Sequence, residues 1–104
     1  MKIEVVVTGN RSLYRSICES IDRTTGHRTF TGAARAIVKV EADAKDWARS
    51  CGQWGTYTIR IDGRDLSKDD MNYLFCAVEQ AIAERKWTDP ITKIAALVEQ
   101  LANN

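Results

Sequence analysis

The stretch Ile3-Glu4-Val5-Val6-Val7-Thr8-Gly9-Asn10-Arg11-Ser12 decides how the fold is read. Ile3, Val5 and Val7 are β-branched and share one face at period two, so residues 2–8 predict a strand. Gly9 and Asn10 are turn residues and end it. Beyond them Leu13, Tyr14, Ile17, Cys18 and Ile21 recur at helical steps, which predicts an amphipathic helix over 12–22, although the segment is rich in Ser and Arg. A strand, a glycine turn and a helix make the first unit β-α.

The rest of the chain follows from that unit. Residues 23–32 hold two glycines and several Thr without lasting periodicity, and read as a loop. Residues 34–42 alternate, Ala36, Val38, Val40 and Ala42 on one side and Arg35, Ile37, Lys39 and Glu41 on the other, as in a half-buried strand. Asp43 then caps a short helix carrying Ala44, Trp47, Ala48 and Cys51 on one face, and Gly52 stops it. Residues 56–62 alternate again, with Tyr57, Ile59 and Ile61 inward and Gly63 closing the run. Ser67 and Asp70 form a capping pair before the stripe Met71, Leu74, Phe75, Val78 and Ile82, a helix that ends near Lys86. Asp89-Pro90 starts a final helix with Ile91, Ile94, Leu97, Val98 and Leu101 on its apolar side. The expected architecture is α+β in a single small domain over 1–104. A three-stranded sheet packs against helices in the order β-α-β-α-β-α-α, with a C-terminal helical hairpin.

The chain's 104 residues, 44% hydrophobic and 28% charged, suit one folded core and exclude a disordered segment. No run of about 18 apolar residues exists, and Glu4 interrupts the N-terminal stretch, so no membrane span and no signal peptide is expected. Cys18, Cys51 and Cys76 are odd in number and fall on the apolar stripes of the expected helices. They read as small core hydrophobes in a reducing, cytoplasmic compartment.

Charge divides along the chain. Residues 1–39 carry seven basic and three acidic side chains, whereas 40–104 carry eight basic and eleven acidic ones, for a net charge of +1. Arg11, Arg15, Arg23 and Arg28 stand among Ser, Thr and Gly, a mixture suited to phosphate or carboxylate contacts because the guanidinium fork donates two parallel bonds. Asp65, Asp69 and Asp70, with Asp62, cluster around a turn and a helix start, where negative charge is stabilised by the helix dipole. Closely spaced carboxylates there can also imitate a run of phosphates and occupy a basic groove on a partner. Trp47, Trp54 and Trp87 lie near element ends, and Trp54 in its Gln-Trp-Gly turn is expected to be partly exposed and to bind.

Motifs for chemistry are sparse. The single histidine, His27, has no evident orienting partner, and no C-x-x-C or H-E-x-x-H spacing points to a metal, so neither a catalytic residue, a cofactor nor a metal site is expected. The string Thr8-Gly9-Asn10-Arg11-Ser12 resembles the opening of Rossmann-like nucleotide-sensing domains, and the resemblance implies a nucleotide or phosphate held over residues 8–15 by the turn, Arg11 and Arg15. In size and in its want of catalytic motifs the chain also resembles inhibitors encoded by phages and mobile elements, such as anti-CRISPR proteins. That resemblance implies a host defence complex as target.

The preferred expectation is a non-catalytic binding protein. Its partner is a protein or ribonucleoprotein complex, met by Arg11, Arg15, Arg23, Arg28, Trp54, Asp65, Asp69 and Asp70. The alternatives are the phosphate-ligand domain and a nucleic-acid-binding accessory protein. Near-neutral net charge makes direct nucleic-acid binding weak.

Overall fold

The computed structural model describes the backbone of residues 1–14, 17–51 and 54–103, and side chains over 1–9, 20, 22–43 and 56–103. Two long strands, β1 (Ile3–Tyr14) and β2 (Ile17–His27), open the chain as an antiparallel pair that runs from Tyr14↔Ile17 to Ile3↔His27. Helix α1 (Phe30–Cys51) follows, then β3 (Trp54–Ile61), the short β4 (Arg64–Asp65), α2 (Lys68–Ala83) and α3 (Pro90–Ala102). The class is α+β as expected. The element order is β-β-α-β-β-α-α and the sheet has four strands, which corrects the expected β-α-β-α-β-α-α order and three-stranded sheet.

The fourth strand is β4, two residues that follow the turn at Asp62-Gly63, and the change of order arises between residues 9 and 51. Gly9 does not end β1. It is buried mid-strand, opposite Ile21 on one side and Gly55 on the other. The expected helix over 12–22 and the loop after it are instead the end of β1 and β2. Pairing with β1 satisfies the half of β2's backbone groups that face it, and Ile17, Ile21, Thr24 and Thr25 are β-branched residues that favour such a strand. The expected strand over 34–42 and the short helix behind it are one 22-residue helix. Among the described side chains Ala33, Ala34, Ile37 and Val40 are its buried residues, a helical spacing hidden within the alternation. No glycine or proline interrupts residues 33–51, and length favours a helix over a strand.

The sheet order is β2-β1-β3-β4, every neighbouring pair antiparallel. β2 and β3 therefore run the same way on either side of β1, and α1 makes the crossover between them. One face of the sheet carries Ile3, Val5, Val7, Tyr57 and Ile59, all buried, as the sequence indicates. Helix α1 packs on this face, α3 packs on α1, and α2 packs on α3 as the second arm of the expected hairpin. The buried stripes Met71, Leu74, Val78 and Ala81 of α2 and Ile94, Ala95, Val98 and Leu101 of α3 complete one core. On the other sheet face Thr8, Thr24 and Thr56 are exposed and no helix of the described residues covers them.

Candidate binding surface

The Asp-rich segment is gathered by a tight turn. Ile61 pairs with Arg64, and the two residues between them, Asp62 (φ 50°) and Gly63 (φ 83°), both occupy the left-handed region. Asp-Gly is the residue pair this hairpin geometry favours. Asp62 is tied to the N-terminal strand: the Lys2 amide donates to Asp62 Oδ1 at 2.7 Å, and the Asp62 amide donates to the Lys2 carbonyl at 2.8 Å. Immediately after β4, Ser67 caps α2, its hydroxyl accepting from the Asp70 amide at 3.1 Å. The expected capping pair is present.

These steps bring Asp62, Arg64, Asp65 and Asp70 to one surface cleft of about 370 Å³, closed on its far side by Leu101 of α3. Asp69, exposed in the first turn of α2, flanks it. The cleft is mixed in charge: Arg60 Nε donates to Asp65 Oδ1 at 2.9 Å, and Arg64 lines the cleft along with the carboxylates. Asp69 and Asp70 are the acidic pair without such a counter-ion among the described residues.

Of the arginines expected to share the interface, Arg23 and Arg28 lie elsewhere. Arg23 sits on β2, at the sheet edge opposite β4, with its guanidinium 3.7 Å from Asp43. Arg28 is exposed just before Thr29, whose hydroxyl accepts from the Gly32 amide at 3.0 Å at the start of α1. Arg11 pairs with Glu19 in the β1–β2 ladder and Trp54 pairs with Asn10, but their side chains lie outside the described set, and Arg15 lies outside the described residues altogether. Residues 8–14 continue β1, so the helix N-terminus on which the phosphate reading relied does not follow Gly9.

Two exposed aromatics that sequence reasoning did not select are Tyr73, on the side of α2 away from its buried stripe, and Trp87, in the turn after that helix. Asp69, Tyr73, Cys76, Gln80 and Ala83 recur at steps of four and three and are all exposed. Tyr73 is 59% exposed, and beyond the helix end Trp87 is 88% exposed. The turn that carries Trp87 is ordered by hydrogen bonds from the Glu84 amide to Gln80 O (3.0 Å), the Trp87 amide to Glu84 O (2.9 Å) and the Thr88 amide to Glu84 O (3.2 Å). Glu84 also accepts from Lys93 Nζ at 2.9 Å and from Gln80 Nε2 at 3.1 Å, and these bonds hold its carboxyl below the usual range. Arg85 and Lys86, next to Trp87, are exposed. The signal for Trp87 was its place between a helix end and the Asp89 cap of the next helix, which accepts from the Ile91 amide at 3.0 Å.

Cys76 is on this outer face and not in the core, a correction to the expected packing of that cysteine. It stands two residues from the buried Leu74, a rotation of about 200° around the helix. The sheet side of α2 is closed by Phe75, whose ring meets Tyr57 edge-on at 5.1 Å and 86°. The Tyr57 hydroxyl is buried without a hydrogen-bond partner, and burial, followed by the Glu41 charge, raises its pKa.

His27 Nε2 and Thr25 Oγ1 are 2.9 Å apart on β2. The described residues hold no cluster of three or more potential metal ligands, and no helix among them is long and apolar enough to cross a membrane. Neither a protein-family model, a curated protein nor a solved structure matches the chain.

Proposed function

We propose that this chain is a non-catalytic binding protein that docks a protein or ribonucleoprotein partner on the outer face of α2. The observation that carries the reading is Trp87, 88% exposed in a hydrogen-bonded turn. A large aromatic held in water forfeits the free energy of burying its surface, and tryptophan is enriched among residues that dominate binding energy. Tyr73 supports the same face. The surface is polar in both senses: Asp69 and Asp70 lie at the start of α2, and Arg85 and Lys86 lie beyond its end. A 16-residue helix separates them by about 24 Å, within the span of a standard interface of roughly 800 Å² per partner.

The acidic end gives the proposal its direction. Asp69 and Asp70, backed by Asp62 and Asp65 at the adjoining cleft, present carboxylates suited to a basic groove that otherwise holds phosphates. Binding of that kind excludes the groove's own ligand, so the protein acts as an inhibitor of a nucleic-acid-handling complex, in the manner of phage-encoded inhibitors. An exposed, unpaired Cys76 is in keeping with a reducing cytoplasm.

The test is capture of a partner from host lysate by tagged protein, compared with Trp87→Ala. The variant is expected to retain its fold, because the side chain is exposed, and to lose at least tenfold in affinity. Equal capture by both forms would remove the α2 face from the interface.

A further inference from the structure

We propose that the outer edge of β2, together with the cleft between β2 and α1, takes an extended acidic segment of a partner protein as a fifth strand. The site lies at the opposite edge of the sheet from β4 and does not depend on the reading of the α2 face.

The two sheet edges differ. β4 is two charged residues long, which leaves little edge to extend. β2 is 11 residues long, and its pairing with β1 is regular from Cys18 to His27, the register shift lying between Ser12 and Tyr14. The chain's one proline is Pro90, so β2 has no proline, and it has no lysine. Short length, proline, lysine and bulges blunt many edges, and β2 uses none of them over this run; its one inward-facing charge among the described side chains is Arg23, which is held by Asp43. Alternate backbone N–H and C=O groups of an edge strand point away from its neighbour, and among the described residues no strand pairs with the outer side of β2.

The helix-covered face of β2 explains which strand fits. Arg23, Thr25 and His27 stand opposite Val7, Val5 and Ile3, so β2 is polar where β1 is fully buried. Helix α1 returns alongside β2 in the reverse direction: a Cβ at Gly32 would lie 3.4 Å from His27 Nδ1 at one end, and Asp43 meets Arg23 at the other. Between these points α1 leaves a cleft of about 120 Å³ with Val7, Ala36 and Val40 as its apolar lining and Arg23, Thr25 and Lys39 around them.

Arg35, one turn before Lys39 on α1, is exposed, and neither is in an ion pair among the described residues. Side chains of an added strand would alternate between this cleft and the open sheet face. An aliphatic side chain suits the small apolar lining, and carboxylates suit Arg35 and Lys39.

The probe is a fluorescein-labelled, amidated heptapeptide Thr-Glu-Thr-Val-Thr-Glu-Thr, whose Glu, Val and Glu share the cleft-facing side and whose Thr residues face the open side of the sheet, followed by fluorescence anisotropy and by amide hydrogen exchange of the intact protein. Saturable binding is expected, with exchange over residues 22–26 slowed at least tenfold. N-methylation of alternate residues keeps the charge and removes backbone donors, and in one of its two registers is expected to weaken binding at least tenfold. Arg35→Glu with Lys39→Glu is expected to do the same, and the peptide with Lys in place of both Glu is expected not to bind. The proposal is overturned by no saturable binding, by equal binding of both N-methylated peptides or of the Lys peptide, or by unchanged affinity in the double variant. It is overturned as well by protection that maps to α2, or by concentration-dependent protection of β2 without peptide, which would assign the edge to a second copy.

Discussion

Arg60 and Asp65 are directly opposed across the β3–β4 pair, with Arg60 Nε donating to Asp65 Oδ1 at 2.9 Å. Glu4 is opposed to Arg60 on its other side, so one row of the sheet alternates in charge from β1 to β4. Cross-strand charge pairs of this kind align a short edge strand more than they stabilise the domain, since an exposed ion pair contributes only about 0–1 kcal/mol. The row anchors the start of the acidic rim formed by Asp62, Asp65, Asp69 and Asp70, while Asp69 and Asp70 have no counter-ion among the described residues.

That division predicts separable effects. Asp65→Asn, Asp69→Asn and Asp70→Asn together are expected to cost no more than about 2–3 kcal/mol of stability, one exposed ion pair and two helix-dipole contacts. Partner affinity is expected to fall at least tenfold. Urea unfolding and a binding titration on the same sample decide the matter. A triple variant that binds as the parent does would show that the rim is only a solvated helix start.

The turn that builds the rim gives a matched pair of glycine substitutions. Gly63 has φ 83°, where a Cβ is disfavoured although no atom lies within 4 Å of the position it would take. Gly63→Ala is expected to destabilise by about 1–2 kcal/mol, from backbone strain alone. Gly26 in β2 has equal space and no left-handed φ, so Gly26→Ala is expected to be neutral or to stabilise by about 0.5–1 kcal/mol through the unfolded chain. Denaturant midpoints of the two variants should move in these different ways. A common shift would show that side-chain space and not backbone conformation governs both sites.

The C-terminal half, apart from the two-residue β4, was legible because its residues carry their own punctuation. Ser67 and Asp89-Pro90 mark helix starts by satisfying amides that the helix cannot, and each stripe behind them admits one period. Residues 56–61 alternate without a competing helical spacing. The stretch 12–42 was not legible because Leu13 to Ile21 and Ala34 to Ala42 each fit two periods. The deciding term was non-local: β2 exists because β1 is there to pair with it. Gly9 misled for the same reason, since a glycine facing Gly55 in a central strand looks like a turn when the neighbour is unseen. The acidic rim was legible as a cluster, but its separation from Arg23 depends on strand order.

Tyr57 offers a test of the core beneath α2. Its buried hydroxyl has no partner, so Tyr57→Phe removes a desolvated polar atom and keeps the ring contact with Phe75. Stability at neutral pH is expected to be unchanged or higher by about 1 kcal/mol. The folded pKa is raised above the ordinary value of 10.0, chiefly by burial, so the folded state holds the proton after the unfolded chain has released it. The parent protein is therefore fully stabilised by this group below pH 10 and loses stability as pH rises past it, by up to about 1.4 kcal/mol per pH unit. Tyr57→Phe lacks that loss. Urea midpoints of the two proteins from pH 8 to 11 should diverge only at the alkaline end, and parallel curves would show the hydroxyl to be solvated.

Cys76 allows the outer face of α2 to be tested without altering it. The thiol is exposed and free, so its peptide is expected to be alkylated in the native protein within about tenfold of the rate in urea. Protection of a hundredfold or more would return Cys76 to the core and dismiss the helix orientation that exposes Tyr73. Once a partner has been captured, the same measurement reports on the interface, because Cys76 lies between Asp69 and Trp87 along the chain and on the exposed row of α2. Docking on this face is expected to slow alkylation at least tenfold. A peptide bound at the edge of β2 is expected to leave the rate unchanged, so a complex in which Cys76 still reacts at its free rate would assign that partner to a surface other than α2.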